Sequence, residues 1–117
     1  MTAYTIAELR STFPTCMDFL GTAYMQLYRH KTEWAGSGRR HGYTRADLRV
    51  AVVRRLIADA FGMPAGRGLP RRIDPLIESA PWSPHLRLTL GISGTILLTI
   101  PGKLWTELAY HHEEPTT

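Results

Sequence analysis

Apolar residues recur along this chain with two periods, and the change between them divides it. Met17, Leu20, Tyr24, Leu27 and Tyr28 are spaced three and four apart, as on one face of a helix. Further on, Leu86, Leu88 and Leu90 alternate with Arg87, Thr89 and Gly91, and Ile96, Leu98 and Ile100 alternate likewise, as on one face of a strand. The pattern predicts an α+β fold: three N-terminal helices, then an antiparallel β-hairpin, then a short C-terminal helix or third strand.

Thr5-Ile6-Ala7-Glu8 has the spacing of a capping box, in which hydroxyl and carboxylate satisfy the first free N–H groups, and Tyr4 and Leu9 stand at the spacing of a hydrophobic staple. A first helix is expected over about 6–11. Pro14 suits a first helical position, so a second helix is expected over 14–34, ended by Gly36 and Gly38. After a basic loop to Tyr43, Thr44-Arg45-Ala46-Asp47 opens a third helix over 44–61, closed by Gly62.

In that third helix Val52, Val53, Leu56, Ile57, Ala60 and Phe61 fall on one half of the circumference. Asp47, Arg54, Arg55 and Asp59 fall on the other, which predicts a core helix with a charged outer face. Arg49 breaks the pattern by projecting from the apolar half. It must snorkel past the helix end, pair with an acid, or belong to a functional surface, because an unpaired buried charge is costly. The glycines and prolines of 62–70 predict a loop. Asp74-Pro75 reads as the N-cap and first residue of a single helical turn to Ser79, and Pro81-Trp82-Ser83-Pro84 as a stiff extended segment.

The hairpin strands are expected at 86–91 and 95–100. A two-residue turn at Ser93-Gly94 would scatter the apolar set over both faces. A three-residue loop, Ile92-Ser93-Gly94, pairs Leu90 with Ile96, Leu88 with Leu98 and Leu86 with Ile100, and sets Gly94 at a left-handed position. For 103–111 the pairs Leu104/Leu108 and Trp105/Ala109 favour helix over strand. The whole reads as a single domain, 1–112, with a frayed tail at 113–117.

The chain's 117 residues suffice to bury roughly 65% of the unfolded surface, so neither disulfide nor structural metal is needed for folding. The single Cys16, set among Met17, Phe19 and Leu20, reads as a buried thiol and fits a reducing compartment. The first residues lack the basic and apolar regions of a signal peptide, and no apolar run reaches bilayer-spanning length; a cytoplasmic location is expected and no membrane contact.

Charge changes the picture most. Of 14 Lys and Arg residues, nine fall between Arg39 and Arg72, where the only acids are Asp47 and Asp59. That window carries net +7 and the remainder −3, which together make the chain's +4. The abundance of Arg over Lys is weak support for phosphate binding, since a GC-rich genome produces it unaided. Clustering is the stronger sign, because a segregated field attracts an anionic partner where an interspersed one cancels. The candidate binding residues are Arg39, Arg40, Arg54, Arg55, Arg67, Arg71 and Arg72, with Tyr43 as a base-stacking platform.

Signatures of other chemistry are missing. The five histidines hold no useful ligand spacing with Cys16 or one another, and adjacent His111 and His112 would diverge, so no metal is expected. No phosphate-binding glycine loop or nucleophile elbow occurs, and no cofactor is implied. A small metal-independent RNase using His41 and Tyr43 is one alternative. Three helices before a hairpin suggest a winged helix, but about nine residues separate helices two and three, against the three or four of a helix-turn-helix.

The leading expectation is a non-enzymatic binding protein whose basic surface engages nucleic acid or an acidic, nucleic-acid-like protein groove. A second is a protein–protein inhibitor or adaptor, of the accessory kind common in phage and mobile elements, acting through Trp82 and the hairpin edge. Trp82 sits between two prolines, where an aromatic anchor loses little entropy on binding. The open hairpin edge also admits a homodimer.

Overall fold

The computed structural model describes residues 3–21, 27, 42–62 and 72–112. Among them are five α-helices and one two-stranded antiparallel sheet, so the α+β class holds. Helix α1 (Ile6–Thr12) starts at the expected capping box: the Thr5 hydroxyl accepts the Glu8 N–H at 3.1 Å and the Glu8 carboxylate accepts the Thr5 N–H at 2.8 Å. Phe13 turns the chain at φ −125°, ψ 59°, and α2 (Pro14–Leu20) follows with proline in its first turn.

The second helix is not continuous to residue 34. It stops at Gly21, whose φ of +52° no residue with a side chain adopts easily. Met17, Leu20 and Leu27 of the expected stripe are buried, but the stripe crosses a break. Apart from Leu27, the remainder of that expected helix, the loop to His41, residues 63–71 and the tail lie outside the described residues.

Helix α3 (Arg45–Ala60) begins at the second expected capping box, Thr44 with Asp47. Its surroundings differ from expectation. Every residue from Asp47 to Arg54 is buried, more than two full turns, so neighbours cover the helix on all sides. Helices α2, α4 (Ile73–Ser79) and α5 (Gly102–His112) pack against it. Arg54 and Asp47 are therefore inside, while Ala60 and Phe61, expected in the core, are exposed.

Helix α4 starts two residues earlier than read: Arg72 is its N-cap and Asp74 lies within its first turn. Residues 103–111 are helical, within α5, and its Leu104 and Leu108 enter the core. An isolated bridge, Tyr4 N–H to Tyr43 carbonyl at 2.7 Å and the reverse at 3.0 Å, ties the N-terminal segment to the start of α3.

The hairpin pairs β1 (His85–Thr89) with β2 (Thr95–Thr99). Leu88 pairs with Ile96 and Leu86 with Leu98, two residues away from the expected register. The connection is longer: a 3-10 turn at Gly91–Ser93, closed by the Leu90 N–H on the Gly94 carbonyl at 2.8 Å. Gly91 at φ +66° and Gly94 at φ +109° supply the two backbone angles that this turn requires. A shift of two leaves every side chain on its own face, so alternation could not have chosen between the registers. No helix among the described residues is long and apolar enough to cross a membrane.

Candidate functional site

The arginines of α3 are drawn into the protein's interior. Arg54 donates to Asp74 at 2.6 Å, and both side chains are over nine-tenths buried. Arg55 pairs with Asp59 one turn on at 3.1 Å and donates to the Leu20 carbonyl at 3.0 Å, which closes the last turn of α2. Its guanidinium also lies 5.5 Å from the Phe19 ring centroid.

Arg49 is the largest fully buried side chain. Its guanidinium donates to the carbonyls of Ile77 (2.7 Å), Pro81 (3.0 Å), Ala80 (3.1 Å) and Glu78 (3.4 Å). These carbonyls lie at and just past the C-terminal end of α4, where a helix runs short of N–H donors, so Arg49 caps α4 from a neighbouring helix, sharing the Ile77 carbonyl with the Ala80 N–H. Burial, then the like charge of Arg45, lowers its pKa from the ordinary value, while Glu78 acts the other way.

Trp82 joins this cluster. The Arg45 and Arg49 guanidinia each stand 4.4 Å from its ring, and Trp105 packs against it at 6.2 Å. Trp82 is half-buried and belongs to the domain's own packing. Tyr43 is 1% exposed, so its ring occupies the core rather than a base-stacking surface.

The basic window is thus divided. Arg54 and Arg55 have their guanidinia engaged within the fold, as does Arg49, and Arg72 is exposed. Arg39, Arg40, His41, Arg67 and Arg71 lie outside the described residues. No three His, Cys, Asp or Glu side chains gather as metal ligands would among the described residues. A depression lined by Arg10, Pro14, Met17 and Asp18 has a volume of about 240 Å³, below the usual range for ligand pockets.

The hairpin presents a different surface. On its outward face His85, Arg87 and Thr89 of β1 and Thr95, Leu97 and Thr99 of β2 are all exposed. Leu97 keeps 72% of its surface exposed, and Ile92 at the tip is fully exposed. β2 carries no charge and no proline, and its only sheet partner among the described residues is β1. An edge of this composition pairs readily with another chain. The period-two alternation already left Leu97 facing away from the core, beside the open hairpin edge that the sequence also indicates.

Compared with protein-family models, curated proteins and solved structures, the chain matches none.

Proposed function

We propose that this chain is a small non-enzymatic binding protein that meets a protein partner on its hairpin, with the β2 edge as the contact. The observation that carries this reading is an uncharged, open strand edge flanked by exposed Leu97 and Ile92. Strand addition takes its affinity from backbone hydrogen bonds and its specificity from alternate side chains, and β2 offers both. Trp82 then stiffens the hairpin's base from within.

The test is capture from nuclease-treated lysate on immobilised wild type beside Leu97→Lys. A partner retained by wild type, insensitive to salt and lost with Leu97→Lys, is expected. The same proteins on both surfaces, or none on either from a wild type that is also monomeric, would sink the reading.

A second reading, an anionic partner on the basic window, draws on the net +7 of 39–72 and the exposed position of Arg72. Its contacts would come from Arg39, Arg40, Arg67, Arg71 and Arg72. Binding to labelled nucleic acid would then weaken with salt at a log–log slope of about −0.9 per phosphate contacted on duplex DNA. An Arg39/Arg40/Arg71/Arg72→Ala variant should lose binding.

A further inference from the structure

The edge that β2 leaves open is self-complementary. The Leu90 N–H bonds the Gly94 carbonyl at 2.8 Å and the Ile100 N–H bonds the Pro84 carbonyl at 2.7 Å. In that register the even-numbered residues of β2 turn their backbone groups toward β1. Thr95, Leu97 and Thr99 therefore turn N–H and C=O away from it. None of these groups is bonded to the backbone of another described residue.

Outward from Leu97 the strand has the same pattern in both directions: an aliphatic residue on each side, Ile96 and Leu98, then a threonine, Thr95 and Thr99. A two-fold axis through Leu97 sets that residue beside its copy and each Thr95 beside a Thr99, all as hydrogen-bonded pairs. It also sets Ile96 beside Leu98 on the inward face. Apolar and threonine pairs of this kind are favourable across strands, and every outward backbone group of the strand finds a partner.

Charge selects this edge. Two copies at +4 repel, and the same operation on β1 would set Arg87 against Arg87. On β2 nothing charged meets. Arg87 lies level with Leu97, so the two Arg87 residues of the combined sheet stand three strand spacings apart, roughly 14 Å. That exceeds the Debye length of about 8 Å at physiological ionic strength.

We infer that the hairpin's partner is a second copy of this chain, joined by antiparallel pairing of β2 with β2 about Leu97 into a sheet of order β1-β2-β2-β1. The inference rests on the hairpin edge being the binding surface. One short strand buries less than the roughly 1,200 Å² of a standard interface, so the dimer is weak and concentration-dependent.

Cross-linking tests the geometry. In a hydrogen-bonded antiparallel pair the facing Cα atoms are about 5.5 Å apart, inside the disulfide range. Leu97→Cys should form a disulfide-linked dimer under mild oxidation roughly tenfold faster, or more, than Ile92→Cys, whose exposed thiols stand far apart in the same assembly. Cys16 is buried and does not compete.

Reduced wild type should sediment as a monomer–dimer equilibrium that Leu97→Lys and Leu97→Thr move toward monomer without changing Tm. Equal cross-linking of the two thiol variants, a monomer throughout, or a dimer indifferent to both substitutions overturns the inference. A monomeric wild type that still captures another protein through Leu97 overturns self-pairing alone. A monomer that captures nothing overturns the hairpin reading with it.

Discussion

At the scale of single residues, this protein spends charge on its own backbone. Arg49→Met keeps much of the side-chain volume but takes the guanidinium donor from the carbonyls of Ala80 and Pro81 and leaves Ile77 only the Ala80 N–H. It should cost about 3 kcal/mol in urea denaturation, since each buried acceptor left unpaired costs about 1–3 kcal/mol. Arg49→Lys should recover little, because one ammonium cannot span a fork of acceptors. Arg54→Met removes the buried guanidinium that bonds Asp74 at 2.6 Å and should cost about 3–5 kcal/mol, most of which Arg54→Met with Asp74→Leu restores. Burial raises the pKa of the Cys16 thiol, and the Glu107 carboxylate adds to that. Below about pH 8.5 the thiol holds its proton in both states; above it only the unfolded chain ionises, so stability falls by up to about 1.4 kcal/mol per pH unit. Cys16→Ala should remove that slope in denaturation curves above pH 8.5.

Between elements, the unusual contacts are caps supplied from a distance. Helix α2 begins at Phe13, which offers no side-chain cap, and its first N–H groups are met by Glu107 of α5. The Glu107 carboxylate accepts from Thr15 at 2.9 Å and from Cys16 at 2.7 Å. Glu107→Ala should cost about 1–2 kcal/mol by thermal denaturation, and Glu107→Gln less, because one oxygen can still accept. What the sequence made legible follows from range. The boxes Thr5/Glu8 and Thr44/Asp47 were readable because partners three residues apart announce each other. Glu107 and Cys16 lie 91 residues apart, and Arg49 and Ile77 28 apart, so spacing carries no trace of either cap. Gly21 was visible, but the apolar stripe running past it pointed the other way, and backbone geometry prevailed. The hairpin's faces were legible while its register was not, for the reason that alternation has period two.

For the molecule as a whole, the charge map from the sequence and the one in space differ. Composition places a +7 window in the middle of the chain, but α3 turns Arg49, Arg54 and Arg55 to capping and pairing. Periodicity assigned α3 one dry face, because it counts residue types and not the neighbours that α2, α4 and α5 bring to the other side. A basic patch and a buried brace are written with the same letters. Stability distinguishes them: truncating a patch arginine leaves Tm unchanged, whereas truncating Arg49 or Arg54 lowers it by roughly 10–20 °C, as about 3 kcal/mol does in a domain this size. The outer edge of the hairpin takes no part in that bracing among the described residues, which leaves it to the surroundings.

The reach of Glu107 sets an order of events during synthesis. Helix α2 leaves the ribosome early, but the carboxylate that holds its first turn follows 91 residues later. At about 5–20 residues per second the wait is roughly 5–20 s, through which the first turn of α2 lacks its cap although α1 and α3 can already pack against the helix. A nascent chain stalled before residue 107 should therefore be cleaved readily within 14–20, and one released beyond it should resist.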